Sequence, residues 1–168
     1  MTCIVGLVDE NKTVWMGGDR CFTTGYCEGL DLNPKITLHP RLLTASCGDA
    51  TICDLMLLDS FPVHDKNVNL RSWAVGTLVP WLFTQARERE LHNRKDGVTY
   101  LFDGEILLGG AGRLLKIGSG GAVTEPVGGY AIGVGGPTAR GVLWVTGEGW
   151  PGPPSAKFDP HTRIRLAL

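Results

Sequence analysis

Residues 3 to 8 are apolar whichever way their side chains alternate. Cys3, Val5 and Leu7 fall on one face of a strand, and Ile4 and Val8 fall on the other. A strand turns successive side chains to opposite faces, so a strand with no polar parity must be covered on both sides. The second run, Thr13-Val14-Trp15-Met16-Gly17-Gly18, has the same character. Two architectures meet the requirement: a parallel sheet between helices, or a sheet packed on a second sheet with helices outside both. Periodicity alone does not choose between them.

Along the chain, Asp9-Glu10-Asn11-Lys12 reads as a tight turn that brings Asp19 back to the level of Thr2. Cys21 to Pro34 lacks periodicity and reads as a long loop bordering a cleft. A third strand starts at Lys35-Ile36-Thr37-Leu38, and a fourth, Leu42 to Gly48, ends on a glycine before a helix over Asp49 to Ser60. Asp49 is its expected N-cap. Apolar residues at three- and four-residue steps predict a second helix from Asn69 to about Asn93, kinked or split at Pro80. Its polar end, Arg87-Glu88-Arg89-Glu90, reads as a solvated face, and Lys95-Asp96-Gly97 as the turn that closes it. Val98 to Ile132 reads as short strands joined by glycine-rich hairpin turns. A helix over Thr138 to Val145 follows, then a non-helical Gly147 to Pro154. The last helix opens with Asp159 as N-cap and Pro160 at its first position.

Composition narrows the function classes. At 168 residues the chain suits one domain spanning 1–168. A net charge of −1, from 16 basic and 17 acidic residues, gives no electrostatic reason for a nucleic-acid or anionic-membrane partner. No basic leader precedes the first strand, and no apolar run approaches the ~18 residues of a membrane span. The five cysteines are odd in number and scattered, so reduced thiols and a cytoplasmic location are expected. Without Cys-x2-Cys, a zinc site is not expected. The glycine clusters lie between strands and include no Gly-x-x-x-x-Gly-Lys, so they do not read as a phosphate cradle. His39, His64, His92 and His161 are isolated and read as solvated, which leaves neither a metallopeptidase nor a serine-hydrolase motif. No cofactor or metal is expected.

The chemistry sits at the start. With Met1 removed, Thr2 carries a hydroxyl and a free α-amine, and an amine of pKa ~8 is partly unprotonated at neutral pH. Nucleophile and base then share one residue. Thr2, Ile4 to Val8, Gly18-Asp19-Arg20, Lys35-Ile36, Gly48 and Gly129-Tyr130-Ala131-Ile132-Gly133-Val134-Gly135-Gly136 occur in an order and spacing that resembles the proteasome β-subunit family of N-terminal-nucleophile hydrolases, including the bacterial peptidase that forms double rings under an ATPase unfoldase. The resemblance covers most of the chain.

It implies an α+β fold, a four-layer αββα sandwich, with the closing C-terminal elements of the family shortened after Leu168. It also implies a threonine endopeptidase acting on polypeptides in a homo-oligomeric ring, with a possible ATPase partner. Thr2 would be the nucleophile, Lys35 would stand by its hydroxyl, Asp19 would orient Lys35, and the Gly48 N–H would donate to the oxyanion beside a helix N-terminus. The chain departs from the family at Val134, where relatives commonly carry a serine between glycines, which removes a hydroxyl near the nucleophile. A catalytically silent ring subunit and a non-peptidase amidohydrolase of the same superfamily are the alternatives.

Overall fold

The computed structural model describes residues 2–24, 27–30, 34–89, 93–95, 98–100, 103–147 and 158–168. In chain order the elements are β1 (Ile4–Val8), β2 (Val14–Gly18), β3 (Cys21–Thr24), β4 (Cys27–Leu30), β5 (Ile36–His39), β6 (Leu42–Gly48), α1 (Ala50–Leu55) and α2 (Leu70–Trp73). A π-helical turn (Ala74–Leu78) then leads into α3 (Val79–Glu88), followed by β7 (Asn93–Lys95), β8 (Val98–Tyr100), β9 (Gly104–Gly110), β10 (Arg113–Ile117), β11 (Val123–Thr124), β12 (Gly129–Ile132), α4 (Gly136–Val145) and α5 (Pro160–Ala167).

Two antiparallel sheets carry the structure, one ordered β12-β1-β2 and the other β11-β10-β9-β6-β5. Three buried clusters show how they stack. Ile4 and Ile132 of the first sheet meet Ala45, Cys47, Leu107 and Leu114 of the second. The other parity of the first sheet, Val5, Leu7 and Ala131, packs on Ala139 and Leu143 of α4 and Ile164 of α5. The outer face of the second sheet, including Leu42, Ile106 and Leu115, packs on Ile52, Leu70, Trp73 and Leu82 of α1 to α3. Three apolar interfaces make four layers, αββα, which decides between the architectures left open by the first strand. Ile4, Leu7 and Leu107 are fully buried. Each such side chain contributes about 1.5–3 kcal/mol of transfer free energy, so both parities of β1 hold it in the middle of the stack.

Two helix starts, at Asp49 and Asp159, were legible from their caps, and the start at Asn69 from its apolar spacing, while α4 starts at Gly136 and not Thr138, with no side-chain cap. The Asp49 carboxylate accepts from Thr51 N–H at 3.0 Å, Asn69 accepts from Arg71 N–H at 3.0 Å, and Asp159 accepts from Thr162 N–H at 3.1 Å. Pro80 lies in the first turn of α3, directly after the π-helical turn, where Val79 N–H reaches back to Ala74 C=O. The wider turn absorbs the ring and the missing N–H without breaking the rod.

Several boundaries differ from the sequence expectation. Cys21 to Leu30 contains a β-hairpin, not a loop, with Cys21 opposite Leu30 and Thr24 opposite Cys27. Such a ribbon satisfies its backbone locally and needs no alternating apolar face. Helix α1 stops at Leu55 and not Ser60, and α3 stops at Glu88, while Asn93 pairs with Tyr100 in a second small hairpin. Asp96-Gly97 and most of 147–154 lie outside the described residues. No helix among the described residues is long and apolar enough to cross a membrane.

Candidate active site

The N-terminal end of β1 meets the C-terminal end of β2, the approach to β5 and the end of β12. Asp19 is the first residue past β2, and its carboxylate continues the ladder that the backbone leaves off. It accepts from Cys3 N–H and, at 2.8 Å, from Cys21 N–H, while its own N–H donates to Cys3 C=O at 3.1 Å. Lys35 completes the arrangement. Its Nζ donates to Thr2 Oγ1 at 2.9 Å, to Asp19 Oδ1 at 2.7 Å and to Cys21 C=O. Three ammonium donors meet three acceptors, so the direction of the group is fixed. The Lys35 side chain is only 10% exposed and that of Asp19 24%.

Burial acts to raise the Asp19 pKa. The Lys35 hydrogen bond, the Cys3 and Cys21 N–H groups and the Lys35 charge outweigh it, so the carboxyl is held below its usual range. At neutral pH the site holds a carboxylate, a lysine amino group and a hydroxyl in one line.

Gly48 ends β6 at φ +108°, opposite Gly104, and a Cβ built on it would stand 2.0 Å from Asp103 C=O. Only glycine fits there. Its position is set by its neighbours: Ser46 N–H donates to Lys35 C=O at 3.4 Å, and Asp49, which caps α1, donates its N–H to Asp103 C=O at 2.8 Å. The Cys47 thiol, pushed up to about 11 chiefly by burial, faces the Gly133 N–H.

On the other side of Thr2 the contacts are all backbone. Gly136 N–H donates to Gly133 C=O at 2.9 Å, which closes a tight turn, and Gly135 N–H donates to Thr2 C=O at 3.1 Å. Gly133 has φ +88°, and a Cβ there would lie 2.3 Å from the Thr2 oxygen. Val134 is 77% exposed on this turn.

Thr2, Asp19 and Lys35 are therefore joined by direct hydrogen bonds, and Gly48 stands on the strand tied to Lys35. Sequence reasoning missed the Cys21 backbone, which both donates to Asp19 and accepts from Lys35, because the main chain leaves no residue signature. It also misread two histidines. His64 is 4% exposed, with Nε2 2.9 Å from Val68 C=O and its ring against Trp73. His39 stacks on Phe61 at 3.9 Å and reaches Thr44 Oγ1, and burial lowers its pKa. Aromatic partners supply the cover that isolation in sequence does not reveal. Both lie outside the Thr2 group. Cys3, Cys21, Cys47 and Cys53 are free thiols. Among the described residues no three His, Cys, Asp or Glu side chains gather as a metal site.

No family model matches the chain, and no curated protein matches it. Solved structures do. Thiobacillus denitrificans BPH in complex with epoxomicin superposes with a TM-score of 0.71 at 21% identity, over 98% of this chain and 86% of that one. Thiobacillus denitrificans BPH gives 0.72 at 21% identity, over 99% and 87%. Eukaryotic HslV from Trypanosoma brucei gives 0.70 at 22% identity, over 98% and 87%. The chain thus has the HslV-type N-terminal-nucleophile hydrolase fold that the sequence resemblance implied.

Proposed function

We propose that this chain is a threonine-type endopeptidase of the proteasome β-subunit-like class, a single-domain subunit of a cytoplasmic homo-oligomeric ring, active once Met1 is removed. The observation that carries the reading is the Lys35 amino group, 2.9 Å from the Thr2 hydroxyl and 2.7 Å from the Asp19 carboxylate. A lysine held this tightly has one free task, to stabilise negative charge developing on Thr2 Oγ1.

In the proposed reaction Thr2 Oγ attacks the peptide carbonyl carbon and its proton passes to the Thr2 α-amine. The carbonyl oxygen takes the electron pair and is met by Gly48 N–H. Collapse of the adduct breaks the C–N bond, the leaving nitrogen takes the proton from the α-ammonium, and an ester remains on Thr2. Water then attacks the ester with the amine as base, which restores the hydroxyl.

Intact-mass measurement together with peptide hydrolysis tests this reading. The expected result is a chain beginning at Thr2 that cleaves peptides, binds epoxomicin as one structural neighbour does, and loses both properties in a form that retains Met1. Equal cleavage with Met1 in place would overturn it. Ring assembly, with an ATPase unfoldase as partner, is the companion proposal, and sedimentation at monomer mass at micromolar concentration counts against it. Val134, which supplies no hydroxyl beside the nucleophile, favours the silent-subunit alternative, whose signature is a processed Thr2 with no hydrolysis of any peptide or simple amide.

A further inference from the structure

The Gly133–Gly136 turn fixes a direction as well as a position. In an extended strand the N–H and C=O of one residue point to the same neighbouring strand, and the next residue points to the other. Cys3 turns both groups toward β2, since its C=O accepts Asp19 N–H at 3.1 Å and its N–H donates to the Asp19 carboxylate. Thr2 is turned the other way, with its C=O on Gly135 N–H at 3.1 Å. Its nitrogen then faces the turn.

The register agrees. Ile4 lies opposite Ile132 and Val5 opposite Ala131, and past β12 the chain turns at Gly133, where a Cβ would lie 2.3 Å from the Thr2 oxygen, with Val134 the next residue of that turn. Its side chain is 77% exposed, on a backbone pinned by Gly136 N–H to Gly133 C=O at 2.9 Å and by Ala139 N–H to Gly135 C=O at 3.0 Å. An apolar side chain left bare on so fixed a backbone, next to reactive atoms, is suited to contact with a ligand.

We infer that Val134 is the wall of an apolar subsite for the first substrate residue on the leaving-amine side of the scissile bond. The inference rests on Thr2 as nucleophile and its nitrogen as base. When the C–N bond breaks, the electron pair stays with the leaving nitrogen, which takes its proton from the Thr2 ammonium. The departing residue must therefore lie within hydrogen-bond reach of that nitrogen, on the side it faces. The opposite side is filled by Lys35, Asp19 and the Cys21 carbonyl. A branched or aromatic residue would bury Val134, whereas a charged one would be desolvated against it without a partner.

The test uses the chain beginning at Thr2 and peptides that differ only in the residue after the scissile bond. Leu or Phe is compared with Gly, Asp and Lys in competition, and products are counted by mass spectrometry as ratios of kcat/KM. The expected preference is about tenfold for Leu or Phe. Val134→Ser should bring the ratio within about twofold of unity and Val134→Ile should keep it, with unfolding curves confirming that both variants are folded. Equal rates in the parent chain, a preference for Asp or Lys, or a ratio unchanged in Val134→Ser would each overturn the inference while leaving the peptidase reading intact. Failure to cleave any peptide overturns both.

Discussion

The two edges of β1 hold the same residue by different means. Toward β2, Thr2 is met by charge: Lys35, itself bound by Asp19, reaches its hydroxyl. Toward β12 it is met by main chain alone, in a turn whose conformation only glycine allows at Gly133. The charged edge acts on the hydroxyl, and the backbone edge acts on where the rest of the residue points. If that division is right, damage to the first should abolish chemistry with little loss of fold. Damage to the second should displace the nucleophile and cost stability as well.

The largest effect is expected on the charged edge. Thr2→Ala should remove hydrolysis completely, and Lys35→Ala should lower kcat by at least about a thousandfold, since in the proposed reaction Lys35 is the group that stabilises charge on Oγ1. Single-turnover rates on one peptide check both. A Lys35→Ala protein with a near-normal rate would mean that Lys35 serves only to anchor Asp19.

The next effect tests the backbone edge. Gly133→Ala places a Cβ 2.3 Å from the Thr2 oxygen at φ +88°, a conformation that costs a non-glycine residue about 1–3 kcal/mol. Thermal unfolding should show that loss, and kcat should fall about a hundredfold because a displacement of ~1 Å is enough to misalign the attack. A stable variant with unchanged rate would show that the turn merely fills space.

What could be read beforehand follows the same division. Thr2, Asp19, Lys35 and Gly48 are visible because a hydroxyl, a carboxylate, an ammonium and a strand-ending glycine each carry a residue-type signature at a fixed place in the pattern. That the first strand is covered on both faces was legible from Ile4 and Val5, whereas the choice of αββα over a parallel sheet came from the family resemblance, because periodicity is the same in both. The Cys21 carbonyl and N–H were not legible, because any residue offers them, and the hairpin that presents them has no alternating apolar face. His64 was misread for the converse reason: burial beside Trp73 is a property of tertiary packing and leaves no mark near position 64.

A pH experiment sharpens the charged edge. The Asp19 carboxyl is held below its usual range, so its contribution to stability is complete above the ordinary carboxylate pKa of about 3.9 and is lost as pH falls through the lower folded value. The difference in Tm between the parent chain and Asp19→Asn should be constant from pH 5 to pH 8 and shrink only below about pH 4. Peptide hydrolysis should fall much earlier, as the Thr2 amine, of pKa ~8, takes up its proton. A rate that holds level down to pH 5 would exclude the amine as base.

The smallest effect belongs to the residue between the two edges. Cys3 lends its N–H and C=O to Asp19, but its side chain leaves on the opposite face from Thr2, toward the Ala167 carbonyl of α5, 3.9 Å from Sγ. Burial raises its thiol pKa, the Asp19 charge adds to that, and Lys35 opposes it. The sulfur therefore stays protonated at neutral pH and is no rival nucleophile. Cys3→Ala removes one partly buried sulfur and leaves every backbone bond in place, so a loss of about 1 kcal/mol is expected, with kcat within about twofold of the parent. Tm and steady-state rates on the same preparation decide it. If kcat collapsed while Tm held, the side chain and not the backbone of Cys3 would be the link between the two edges, and the division drawn here would have to be moved.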